Sequence, residues 1–123
     1  MKQTSAIVYL SILATGLSFL ASCTAIEVLA PPVDSLFISE ANISATEASR
    51  LRKGRDIYLE FCTRCHNAKQ VDKISEQNWE KHIPKVLKKT QLNSDEIISL
   101  KAYLKTAGPI NQSLIKKRKQ QKK

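Results

Sequence analysis

Cys62-Thr63-Arg64-Cys65-His66 constrains the fold of this chain more than any other stretch. Two thiols two residues apart, with an imidazole on the next residue, form the C-x-x-C-H signature through which a c-type haem is attached. The spacing has a chemical reason. On a short helical turn each thiol can add across one of two adjacent vinyl groups, and the following His is held beneath the iron as its proximal ligand. Cys62 and Cys65 would hold the group covalently and His66 would coordinate its metal. A small chain carrying this turn has one haem c to bury.

Other uses of paired cysteines fit less well. A redox dithiol of the thioredoxin kind expects a βαβ setting, and no strand-rich run lies near residue 62. For a structural zinc site the remaining candidate ligands are Cys23 and His82, whose spacings match no finger or ribbon. A plain disulfide across two residues closes little chain and stabilises little.

The N-terminus reads as an export signal. Residues 1–22 pass from a basic start at Lys2 through an apolar stretch, Ala6 to Leu20, and end abruptly. That stretch is too short for a membrane span and has the layout of a cleaved signal peptide. It ends in Leu20-Ala21-Ser22-Cys23, the form of a lipobox, and here the sequence resembles the bacterial lipoproteins. The resemblance implies cleavage before Cys23 and acylation of its thiol, making Cys23 the lipid anchor; several acyl chains together give stable attachment. It also accounts for an odd cysteine, since lipid uses one of three and haem uses two. Export agrees with the haem signature, because c-type haem is attached outside the cytoplasm. The implied location is extracytoplasmic, on the periplasmic side of a membrane. Thr24, where an Asp would signal retention in the inner membrane, leans toward the outer one.

Charge is unevenly spread. The chain has 20 Lys and Arg, 11 Asp and Glu, and a formal net charge of +9. With Lys2 lost on cleavage, 19 basic residues remain; six crowd into residues 116–123, and the rest of the mature chain holds 13 against 11 acids. Basicity is therefore a property of the tail. From Ile115 the chain lacks an apolar face, and residues 110–123 are expected to form a basic disordered tail. Outside the cytoplasm such charge suits anionic lipid or an acidic redox partner, or simply keeps the tail solvated, rather than meeting nucleic acid. Residues 23–43 read as the lipidated Cys followed by a tether, with Pro31-Pro32 and no sustained period. Residues 44–109 remain for one small domain, whose core is marginal unless stapled. A buried porphyrin is such a staple.

The periodicity inside that domain is helical throughout, which predicts an all-α fold. Ser44 and Glu47 read as a capping box, and Leu51, Gly54, Tyr58, Phe61 and Cys62 follow on one face of the helix it opens. A second helix is predicted over about Glu76 to Lys89, with Trp79, Ile83, Val86 and Leu87 as its apolar stripe and His82 at the edge. Pro84 implies a kink there or a helix that begins there. A third helix opens at Asn93 or Ser94, carries Asp95 and Glu96 in its first turn, and is expected to stop near Ala107 before Gly108-Pro109. Ile97, Leu100 and Leu104 make its core face, with Tyr103 beside it.

Gly54-Arg-Asp-Ile-Tyr58, the Cys62–His66 turn and Leu100-Lys-Ala-Tyr103-Leu104 together resemble the small class I-type monohaem cytochromes c, over about residues 48–107. The resemblance implies a small helical domain wrapped around one covalent haem, with first and last helices crossing where Gly54 meets Tyr103 or Leu100. Trp79 before an apolar helix is similar to a short branch of that family found as partner subunits of redox enzymes.

One element of the family is missing. The sole Met is Met1, so the distal iron ligand cannot be methionine; by analogy with the short branch, that position falls at Val86. Two readings stay open. His82, one turn earlier, is the tentative distal ligand, and bis-His ligation would lower the potential relative to His/Met. Otherwise Val86, Ile83 and Leu87 close the site and the iron keeps an open or weakly held position. The first reading implies a membrane-anchored cytochrome carrying single electrons between extracytoplasmic redox proteins, among them a larger dehydrogenase or oxidase, and not an enzyme. The alternative is a five-coordinate haem that binds a small gas or peroxide, as sensor or weak peroxidase.

Overall fold

The computed structural model describes residues 25–63 and 69–123, and these are all-α, with no strand among them. A helical run over 25–29 leads into α1 (Ser35–Ala41) and α2 (Ala45–Ile57). A single π-wound turn, Tyr58–Cys62, continues α2. After a short 3-10 turn, Val71–Lys73, come α3 (Glu76–Leu87) and α4 (Ser94–Gln121).

Local chemistry sets the helix starts. Asp34 accepts from the Phe37 N–H at 3.0 Å, and Ser44 accepts from the Glu47 N–H at 3.2 Å. Asn93 accepts from the Glu96 N–H at 3.0 Å while the Glu96 carboxylate takes the Asn93 N–H at 2.9 Å, a complete capping box. Asn42 ends α1 with φ 51°, a left-handed conformation that Asn tolerates better than other side chains.

The most extensive helix pair is α2 against α4. Gly54 makes their close approach possible. A Cβ there would sit 2.0 Å from the Ser99 carbonyl oxygen and 2.7 Å from Tyr103 Cβ, so no other residue fits. The expected crossing is present, centred on Ser99 and Tyr103. Around it Leu51, Tyr58, Leu100, Tyr103, Leu104 and Ala107 are buried.

Two expectations are corrected. Residues 24–43 are not a tether along their described length: Ala30, Val33 and Phe37 are buried in the same core, and Phe37 stacks on Tyr103 with ring centroids 6.4 Å apart. Nor is the tail disordered. Helix α4 runs through Gly108-Pro109 to Gln121 because its buried stripe does not stop there: Leu104, Ala107, Asn111 and Leu114 recur at spacings of three and four. Pro109 lies on the exposed side and removes one helical hydrogen bond without interrupting that stripe. Pro84 is likewise contained within α3, which begins at Glu76 and not at the proline.

The two terminal segments are joined to each other by polar contacts. Asn111, fully buried, donates through Nδ2 to the Val28 carbonyl at 3.2 Å and to Asp72 Oδ1 at 2.6 Å. Arg118 grips the Asp34 carboxylate with both terminal nitrogens, at 2.6 and 3.1 Å. Lys117 and Ser113 both donate to Glu40, and the Tyr103 hydroxyl donates to the Pro31 carbonyl at 3.0 Å. Chain ends expected to be loose thus form a clamp around the crossing.

Candidate functional site

Cys62 is the last residue of the π-wound turn and is half-buried against the core. A π-turn re-aims the side chains that follow it, and such turns recur at functional sites. The residues flanking the rest of the C-x-x-C-H segment are tied back to this turn. Thr63 Oγ1 donates to the Leu59 carbonyl, and the Tyr58 hydroxyl donates to the Lys69 carbonyl. Cys65 and His66 lie outside the described residues, as does Cys23.

Tyr58 is the hinge between this turn and a cavity. Its ring meets Trp79 edge-on, centroids 5.6 Å apart, and leans on Tyr103 at 6.4 Å. Burial first, and neighbouring Cys62 second, push its phenol far above the ordinary range. Tyr58 therefore stays a neutral donor.

The cavity, of about 510 Å³, is lined by Val71, Ile74, Trp79, Ile83, Ala102 and Leu104, with Lys101, Lys105 and Glu76 among its polar margin. Gly108 also borders it; a Cβ there would come 3.4 Å from the Val71 carbonyl. A volume of that order, with mostly apolar walls and few polar groups, is what a cofactor-sized ligand needs. Trp79, one of the lining residues, has its Nε1 buried with no hydrogen-bond partner. An unmet buried donor carries a free-energy cost until something accepts from it. A large, mostly apolar group matches that volume and lining, so the described residues fit a haem in size and polarity, although Cys62 is not itself among the residues lining the cavity.

His82 is exposed and not among the residues lining the cavity, whereas its neighbour Ile83 is buried and does line it. Val86 is half-buried. Helix α3 therefore turns Trp79 and Ile83 inward and His82 outward. Tyr58 as tie to Lys69 and Trp79 as unmet donor escaped sequence reading. The only sign of the second is a lone Trp on an apolar stripe, which reads equally well as core.

No helix among the described residues is long and apolar enough to cross a membrane. Compared with known proteins, the chain matches no family model, no curated protein and no solved structure.

Proposed function

We propose that this chain is a membrane-anchored c-type cytochrome that carries single electrons between extracytoplasmic redox proteins. The observation that carries the reading is the apolar cavity with the unmet Trp79 donor, linked through Tyr58 to the turn that ends in Cys62. When bound, the haem would supply one-electron exchange between two iron states. The chain's part is to hold and enclose it. Cys62 and Cys65 would bind it covalently and His66 would ligate its iron. Trp79 Nε1 would donate to an acidic substituent, and Val71, Ile83 and Leu104 would exclude water. Cys23 would carry the lipid.

A second reading rests on one observation: His82 faces solvent while Ile83 lines the cavity. In that arrangement the distal position has no side-chain donor from α3, and the haem would be open to carbon monoxide, nitric oxide or peroxide.

Spectroscopy separates the two. The purified protein should give the pyridine haemochrome spectrum of a thioether-linked haem, and Cys62→Ala with Cys65→Ala should lose covalent haem; a wild type without that spectrum sinks both readings. Carbon monoxide added to the reduced protein should leave a carrier's low-spin spectrum unchanged, whereas rapid carbonyl formation selects the open site. Conversion of His82→Ala to high spin would assign His82 as ligand after a rearrangement of α3. Mass spectrometry of the mature N-terminus should find Cys23 acylated, and an unmodified Cys23 refutes the anchor.

A further inference from the structure

The end of α4 carries two sets of cations with different surroundings. Lys117 and Arg118 are committed to Glu40 and Asp34. Lys116, Lys119, Lys122 and Lys123 are exposed, and no Asp or Glu follows Glu96 in the chain. On a helix, Lys116 falls opposite Ala107, Asn111, Leu114 and Arg118, the residues that face the N-terminal segment, and Lys119 falls on the flank between. The clamp thus orders the helix and leaves a strip of unneutralised lysines pointing away from the protein.

The same clamp ties that helix to the chain just after Cys23. Val28 accepts from Asn111, and only residues 24–27 separate Val28 from Cys23. Where Cys23 is acylated, the lysine-bearing helix is tied to the chain at Val28, five residues after the lipid. We infer that this lysine strip is a second membrane contact, binding anionic lipid headgroups and fixing the orientation of the domain on the bilayer. Anionic headgroups are the occupant that the charge favours: no acid lies among the four lysines, and two of them sit on the last turns of α4 and two past its end at Gln121, a spread of charge without the fixed shape that an acidic protein would need. A lysine near an anionic surface strengthens partitioning by about fivefold. The effect fades with salt.

The inference rests on the anchored reading for its membrane, but its test does not use the anchor. The mature chain with Cys23→Ser, loaded with haem, would be sedimented with vesicles of phosphatidylcholine alone or with one third phosphatidylglycerol. Binding should appear only on the anionic vesicles, fall at least tenfold between low and high salt, and fall at least tenfold in the quadruple Lys116→Gln, Lys119→Gln, Lys122→Gln, Lys123→Gln variant. That variant leaves the clamp intact, so its circular dichroism and melting temperature should match those of the parent. Equal binding to both vesicles, no binding to either, or undiminished binding by the quadruple variant would overturn the inference. Capture by soluble polyglutamate without vesicle binding would overturn it in favour of an acidic protein. Loss of the haemochrome, by contrast, would refute the proposed function and leave the vesicle result standing.

Discussion

The two sides of the helix crossing are built differently. On the clamp side, Phe37 is fully buried and the side chains of Asn111, Asp34 and Glu40 have partners on the opposite terminal segment. On the other side, Trp79 and Ile83 border an apolar cavity and the Trp79 N–H has nothing to bond. A chain of rings, Phe37 to Tyr103 to Tyr58 to Trp79, runs from one side to the other. The clamp side is closed by contacts within the polypeptide, although Asn111 Oδ1 and Arg118 Nε are buried there without a partner; the other side borders open space. The two sides are thereby built from different residues, and substitution can tell them apart.

The largest effect should come from Phe37→Ala. Removing a fully buried ring costs about 4 kcal/mol, well above what a residue in a free tether would show, and urea denaturation followed by circular dichroism measures it. A loss near zero would return residues 30–41 to the status of a linker. Next is Gly54→Ala. In an exposed helix the change stabilises by about 1 kcal/mol, but here the new Cβ meets the Ser99 carbonyl and should destabilise by about 3 kcal/mol. An unchanged midpoint would mean that α2 and α4 do not cross at Gly54.

A matched pair probes the contrast more finely. Asn111→Leu strips a donor from Val28 and Asp72 and should cost about 2 kcal/mol. Trp79→Phe removes a donor that has no partner, so its cost in the haem-free protein should be that of a smaller ring alone, about 1 kcal/mol. Comparable losses from both would erase the distinction between a donor with partners, Asn111 Nδ2, and one without, Trp79 Nε1. In the haem-loaded protein the Trp79→Phe cost should rise.

The smallest effect concerns acid. Burial pushes the Asp34 carboxyl up, but the Arg118 guanidinium and the Phe37 N–H outweigh it and hold the group below its ordinary value. Asp72 behaves alike: burial raises it, and the amides of Gln112 and Asn111 more than compensate. A carboxyl with a lowered folded pKa binds its proton more weakly folded than unfolded. Its stabilisation is complete above the unfolded value, about pH 4, and is lost as pH falls through the folded one. Melting temperature should therefore drop below about pH 4, and Asp34→Asn, which preserves the helix cap, should make that drop shallower. An identical slope in the variant would remove Asp34 from the acid response.

Much of this was legible where the signal is local. Ser44, Asn93 and Glu96 mark helix starts by hydrogen bonds three residues long, and the stripe through Leu51, Gly54 and Tyr58 reads directly as a buried face. The terminal segments were not. Pro109 reads as a stop, yet the stripe Leu104, Ala107, Asn111, Leu114 passes through it, and a buried Asn on that stripe hides its periodicity. The seven residues of α1 are too few to carry a period, so only the Asp34 cap and Phe37 announce it. Of the site, the C-x-x-C-H turn was legible because its chemistry lies in adjacent residues, while the outward face of His82 depends on how α3 lies against α4.

The clamp also sets an order of events in folding. Its contacts join residues 72 to 84 positions apart, among them Tyr103 with Pro31, Asn111 with Val28, Lys117 with Glu40 and Arg118 with Asp34. Contacts so distant in sequence carry the highest loop-closure entropy and form late. Closure by the C-terminal helix is thus a late step of folding, and substitutions confined to the clamp should slow the final phase of folding more than the formation of the helices it joins.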